Sequence, residues 1–113
     1  MTTNNCVFCK IINKSLPSQI LFEDGDLIVI KDIMPKAPLH LLVIPKKHIV
    51  GVNTLEAADE PLAGKMLFAA KEMANKSGVG ESGYKLVFNV GKDGGQVVPH
   101  LHLHLLGGKK LSE

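Results

Sequence analysis

The sequence predicts an α+β fold in which a five-stranded antiparallel meander sheet carries one main helix and a short N-terminal helix. Two observations carry this prediction. Five short apolar or β-branched runs are joined by short connections, and a single long stretch with helical spacing falls between the third run and the fourth. With 113 residues, 45% of them hydrophobic and 21% charged, residues 1–113 are expected to form one domain.

Cys6-Val7-Phe8-Cys9 leads into a helical turn over Lys10–Lys14, which Ser15-Leu16-Pro17 stops. Gln19–Glu23 reads as the first strand, Asp24-Gly25-Asp26 as a tight turn, and Leu27–Ile30 as a second, β-branched strand. Two prolines, Pro35 and Pro38, make Ile33–Pro38 an extended loop. Leu39–Ile44 is the third strand, and Leu55–Ala58 a single helical turn.

Asp59 is placed to cap the main helix, with Pro61 in its first turn and Ser77-Gly78 at its end. Leu62, Met66, Ala69, Ala70 and Met73 form its apolar face, which Ala63, Leu67 and Ala74 widen beyond what one sheet covers. Tyr84–Val90 is the fourth strand and Gly91–Gly95 a glycine-rich turn. His100–Leu106 is the fifth strand.

Net charge is +2, from 13 basic and 11 acidic residues, too even for a protein that grips a nucleic-acid polymer. All basic residues are Lys, so phosphate recognition falls to Lys, His or backbone N–H groups rather than guanidinium forks. Mean hydropathy is +0.15, which is apolar enough to leave surface for a partner. No run is long enough to span a membrane, and Met1–Asn5 lacks a basic and apolar leader, so a cytoplasmic protein is expected. There, Cys6 and Cys9, a C-x₂-C pair, point to metal or redox use rather than a structural disulfide.

The most informative segment is His100-Leu101-His102-Leu103-His104-Leu105-Leu106. On a strand, alternate residues share a face about 6.5–7 Å apart. Three imidazoles then project together while Leu101, Leu103 and Leu105 enter the core. The plain alternative is a half-exposed strand whose solvent face happens to be His. Two chemistries compete: these histidines ligate a metal, or one is a nucleophile that its neighbours orient. The glycines of Asn89–Gln96 offer backbone N–H groups to an oxyanion, or simply make a hairpin.

This constellation resembles the histidine-triad superfamily, with its His-φ-His-φ-His-φ-φ signature (φ apolar). Within it, the chain is most similar to the Hint branch of nucleoside phosphoramidate hydrolases. The likeness also runs through Phe8 with Lys10-Ile11-Ile12, Phe22-Glu23-Asp24, Asp32-Ile33, Pro35–Pro38, His40–Ile49, Gly94-Gly95-Gln96 and Leu106-Gly107-Gly108. The resemblance implies that His102 attacks the α-phosphorus of an AMP–amine or AMP–lysine type substrate. A covalent nucleotidyl-histidine would follow, and water would release the nucleoside monophosphate. His104 would face the phosphate and His40 would complete the relay. Asn89 resembles the phosphate-side Asn, with Gly95 and Gln96 beside it. Asp32 would accept from ribose hydroxyls, and Phe8, Ile30 and Ile33 resemble the base-pocket walls, or are simply core.

The resemblance also implies a homodimer through the main helix and the Tyr84–Val90 strand, a purine nucleotide as ligand, and no organic cofactor. In several relatives the C-x₂-C pair binds structural zinc, and here His48 and His100 match the positions that complete Cys6 and Cys9. The alternative is two free thiols, with His100 orienting its neighbour. Val97 and Pro99 depart from the family pattern, where a polar residue, often Ser, and an aromatic are common. The tail ends five residues after Gly108, without the aromatic of some relatives. Other readings are a dinucleoside polyphosphate hydrolase or nucleotidyl transferase using the same histidine, and a largely non-catalytic nucleotide-binding regulator.

Overall fold

A computed structural model describes residues 5–113; the polar opening Met1–Asn4 lies outside the described residues. The elements are α1 (Val7–Ile12), β1 (Ile20–Glu23), β2 (Leu27–Lys31), β3 (Leu39–Pro45), α2 (Glu60–Lys76), β4 (Tyr84–Val87) and β5 (Leu103–Gly107). The strands form one antiparallel sheet in the order β1-β2-β3-β5-β4. The first three strands are a meander. Past α2 the chain reaches the far edge as β4 and folds back, so β5 enters beside β3 instead of continuing outward.

Both faces of the sheet are covered. Leu27, Val29, Leu41, Val43, Leu101, Leu103 and Leu105 pack under Met66, Ala70, Met73 and Ala74 of α2. On the other face Ile28, Ile30, Leu42 and Ile44 pack against Phe8 and Ile11 of α1. This explains why β2 and β3 read as continuous apolar runs. Each such fully buried side chain contributes about 1.5–3 kcal/mol. Among the described residues no helix is long and apolar enough to cross a membrane.

Local chemistry accounts for the departures from the sequence reading. Helix α1 begins earlier than Lys10 because the Cys6 thiolate or thiol sulfur accepts the Cys9 N–H at 3.4 Å and caps it. Asp59 sits at the N-cap of α2, but its carboxylate does not bond the helix. It accepts instead from Glu56 N–H at 3.0 Å and from Lys47 Nζ at 2.6 Å. The turn expected at Leu55–Ala58 is two 3-10 turns, Val52–Thr54 and Ala57–Asp59.

Strand β4 stops at Val87, not Val90. Asn89 turns to donate its Nδ2–H to Gly94 O at 2.9 Å, and the Val90 backbone lies against Gly94 so closely that a Cβ there would overlap the Val90 carbonyl. Strand β5 starts at Leu103, so His100 and His102 precede the regular ladder. The alternation nevertheless holds: Leu101, Leu103 and Leu105 are buried under α2, while the histidines face α1.

The candidate active site and its cysteine–histidine neighbour

His102 is buried on the α1 face. Its Nδ1–H donates to the His100 carbonyl at 2.7 Å, which leaves the Nε2 lone pair free. Burial pushes its pKa down, against the opposing pull of that hydrogen bond and of Asp32, so the imidazole is held neutral. Phe8 packs edge-on against it with centroids 5.0 Å apart, and His104 stands at the same 5.0 Å on another side. A neutral imidazole with one nitrogen anchored and the other free has a lone pair available for attack or for accepting a hydrogen bond.

Register brings His40 to this cluster. His104 pairs with Leu42 across β3 and β5, so His40, two residues from Leu42, shares its face. Lys36 N–H donates to His40 Nδ1 at 3.1 Å, which assigns the His40 proton to Nε2. That Nε2–H donates to His104 Nδ1 at 2.9 Å, and Asp32 Oδ2 stands 3.4 Å away. The His104 proton is thereby assigned to Nε2, making it a donor toward anything bound beside the triad. Burial lowers the His40 pKa, and burial together with the neighbouring His102 and His40 pushes His104 down to about 4.

Asp32, His40 and His104 offer atoms close enough to hold a metal, but the tautomers oppose it. A metal on His40 Nε2 would move that proton onto Nδ1, against the incoming Lys36 N–H. The three side chains form a hydrogen-bonded set whose proton positions are ordered from the Lys36 N–H.

Other candidate residues divide into two groups. Phe8 and Ile30 are buried, as walls or as core. Asp32 Oδ1 accepts from Met34 N–H at 2.8 Å, so the carboxylate is held by its own loop. Ile33 is 91% exposed and is not core. Gln96, by contrast, spends its side chain internally: Nε2 donates to Val50 O at 2.7 Å and Val98 O at 3.0 Å, and Oε1 accepts from Gly91 N–H. The N–H groups of Gly95 and Gln96 close the turn onto Lys92 O and Gly91 O, so the glycine-rich turn braces itself and those amides are not free for an oxyanion. Val97 is 89% exposed.

A second cluster adjoins the triad. His100 is wholly buried, and its Nε2–H donates to Pro45 O at 2.8 Å. Its bare Nδ1 faces Cys6 Sγ at 3.3 Å, Cys9 Sγ at 3.6 Å and His48 Nδ1 at 3.0 Å, while His48 Nδ1 lies 3.2 Å from Cys9 Sγ. A tetrahedral ion with bonds of about 2.3 Å to sulfur and 2.0–2.1 Å to nitrogen needs edges of roughly 3.3 Å between nitrogens and roughly 3.6 Å between nitrogen and sulfur. The nitrogen–nitrogen and nitrogen–sulfur separations above lie within about 0.4 Å of these edges, and two facing imidazole nitrogens 3.0 Å apart gain from a cation between them. Burial, with the hydrogen bond and charge of Cys6, pushes the Cys9 thiol up to about 11. A bound divalent ion reverses that preference. These four residues can hold a metal, and their donor set suits a structural, closed site.

No sequence pattern marks the Pro45 carbonyl or the Lys36 N–H, because both contributions come from the main chain. The prolines around them, which shape the loop and end β3, are the visible trace.

The fold and the histidine cluster define a class of α+β protein that gathers buried imidazoles on one face of a five-stranded antiparallel sheet. Residues 5–112 match the family model described as scavenger mRNA decapping enzyme C-term binding. Protein HitA of Neisseria gonorrhoeae is 47% identical over 104 residues, covering 92% of this chain and 96% of that protein. A HIT family hydrolase from Legionella pneumophila Philadelphia 1 superposes with TM-score 0.94 at 48% identity, over 96% of each chain. A HIT family hydrolase from Clostridium thermocellum gives 0.95 at 46%, over 99% of this chain and 97% of that one. The chain belongs to the histidine-triad superfamily and, at family level, is a hydrolase.

Proposed function

We propose that this protein hydrolyses purine nucleoside 5′-phosphoramidates, AMP joined to an amine or to lysine, through a covalent adduct on His102. The observation that carries the reading is the His102 ring, neutral, anchored at Nδ1 on the His100 carbonyl and free at Nε2. In the first step Nε2 attacks phosphorus, the P–Nε2 bond forms, and the P–N bond to the amine breaks. The amine leaves with a proton from solvent, since Val97 has no hydroxyl to give. In the second step water attacks phosphorus, the P–Nε2 bond breaks, and the nucleoside monophosphate departs. His104 Nε2–H donates to the non-bridging oxygens as charge builds on them. His40, ordered by Lys36 N–H and flanked by Asp32, holds His104 in the tautomer that permits this.

Phe8, Ile30 and exposed Ile33 form the base-side surface, Asp32 accepts from ribose, and Asn89 lies on the phosphate side; Gly95 and Gln96 brace the turn beside it. Cys6, Cys9, His48 and His100 hold structural zinc. A homodimer forms through α2 and β4, where Leu67, Phe68 and Leu86 are exposed on one chain and β4 leaves an open sheet edge. The decapping-enzyme description of the matching family model favours a second reading, cleavage of dinucleoside polyphosphates by the same adduct.

The test is AMP release from adenosine phosphoramidate, an adenylyl-lysine analogue and a diadenosine polyphosphate by wild type and His102→Ala. Turnover of the phosphoramidates that His102→Ala abolishes is expected. Preference for the diadenosine substrate favours the second reading, and AMP binding without turnover of any substrate supports a non-catalytic regulator.

A further inference from the structure

His100 has two attachments of different kinds. Its ring is fixed at both nitrogens, by the Pro45 carbonyl on one side and by Cys6, Cys9 and His48 on the other. Its main-chain carbonyl anchors the nucleophile ring of His102. The stretch that carries this carbonyl lies outside the β5 ladder, so pairing with β3 does not hold it in register. The peptide unit that carries it is held on its opposite side by Leu101 N–H on Ile49 O at 2.6 Å, and His100 N–H closes a tight turn onto Val98 O. The His100 ring is the deep anchor of the segment.

A second link runs through α1. Phe8 stands between the two cysteines and packs edge-on against both His100, at 5.9 Å, and His102, at 5.0 Å. The helix that presents it is capped by Cys6 Sγ. The cysteine–histidine cluster therefore touches the nucleophile by two routes: the carbonyl that fixes its tautomer, and the ring that fixes its plane.

We propose that Cys6, Cys9 and His48 are positioning residues for His102, which closure around a divalent metal makes effective by locking His100 and Phe8. The inference rests on the reading of His102 as nucleophile and goes beyond a purely structural metal site. Without the closed cluster, the His48 ring and two cysteine sulfurs offer His100 Nδ1 only weak partners. The ring then gains freedom, and the peptide of the His100 carbonyl, still held through Leu101 N–H on Ile49 O, can tilt about that bond and misalign the acceptor of the His102 Nδ1–H. The second nitrogen of a metal-bound imidazole, like His100 Nε2–H on Pro45 O, fixes ring orientation in the same sense.

The test compares zinc-loaded protein, chelator-stripped protein and Cys9→Ser at one pH, with folding verified by circular dichroism. Histidine-ring ¹⁵N shifts report the His102 tautomer, and kcat and KM are measured on adenosine phosphoramidate. The expected result is a single Nδ1–H tautomer in loaded protein, and a mixed signal with kcat lower by about 10–100-fold at near-constant KM in the other two. Should the stripped and Cys9→Ser proteins unfold, cadmium replaces zinc in the folded chain. Its longer bonds displace the His100 ring and are expected to shift the His102 signals and lower kcat.

Unchanged His102 signals and kcat in the folded stripped protein overturn the coupling and leave the proposed function standing. So do unchanged values on cadmium exchange, and wild-type protein that takes up no zinc overturns the coupling too. If the loaded protein turns over no substrate, the proposed function fails, and the ¹⁵N comparison still decides the coupling.

Discussion

The His102 ring and the His100 carbonyl meet at 2.7 Å across one intervening residue, Leu101, whose side chain is buried in the opposite core beneath α2. The alternation that sends leucine one way and histidine the other thus also supplies the acceptor that orients the His102 ring. Replacing His102 by Ala is expected to lower kcat by at least about 10³-fold, the scale of losing a nucleophile. The fold should survive, since Leu101 and Leu103 stay in the core. Near-wild-type turnover by His102→Ala in a steady-state assay would assign the nucleophile elsewhere.

His104 is predicted to act on the transition state rather than on binding. Truncation to Ala removes the Nε2–H donor and is expected to cost about 10²–10³ in kcat, as for an oxyanion donor. His40→Ala should cost less, because it frees the His104 tautomer without removing its ring. A His40 variant worse than the His104 variant would contradict this order.

Stability is predicted to depend on acid through the same pair. Burial lowers the His40 pKa, and it pushes His104 from 6.5 down to about 4. In the window between 6.5 and about 4 the unfolded chain takes up protons that the folded chain refuses. Stability is therefore full above this window and declines as pH falls through it. Thermal unfolding from pH 7 to pH 4 should show a falling Tm, and His104→Gln should flatten the slope. An equal slope in the variant would assign the effect to other groups.

Gly94 is predicted to be irreplaceable for packing. An added Cβ would overlap the Val90 carbonyl oxygen and lie 2.8 Å from the Val90 nitrogen, so the turn must open. Gly94→Ala should lose about 1–3 kcal/mol in urea unfolding, the range for overpacking. A neutral substitution would mean that the close approach of Gly94 to the Val90 backbone does not constrain the turn.

Val97 offers a gain-of-function check. It is exposed, so Val97→Ser is expected to leave stability within about 0.5 kcal/mol. Because the family resemblance assigns a polar side chain at this position to the leaving group, the added hydroxyl should raise turnover of phosphoramidates with poorly leaving amines, by about tenfold or more. Equal acceleration for all leaving groups would argue against a role in protonating the amine.

Much of this arrangement was legible in the sequence because it is written in side-chain periodicity. Alternation placed Leu101, Leu103 and Leu105 in one core, and the spacing of Met66, Ala70 and Met73 placed α2 over them. The entry of β5 beside β3 was not legible, because a pairing partner across the chain leaves no local mark. Nor was the early end of β4, which depends on Asn89 preferring the Gly94 carbonyl to the ladder. At the site, the residue types were visible and their protons were not. The tautomers of His40, His100 and His102 are set by main-chain groups of Lys36, Pro45 and His100, and the Gln96 side chain turned inward for a similar reason.

A covalent intermediate on His102 would carry an acid-labile P–N bond, so rapid mixing with an alkaline denaturing quench is the way to capture it. Excess enzyme is mixed with adenosine phosphoramidate, quenched within a single turnover, and analysed by intact mass and peptide mapping. The expected result is one nucleoside monophosphate adduct per chain, on the His102 peptide, absent from His102→Ala and decaying at the rate of AMP release. AMP formed within that turnover with no adduct at any time, or an adduct on a different residue, would contradict it.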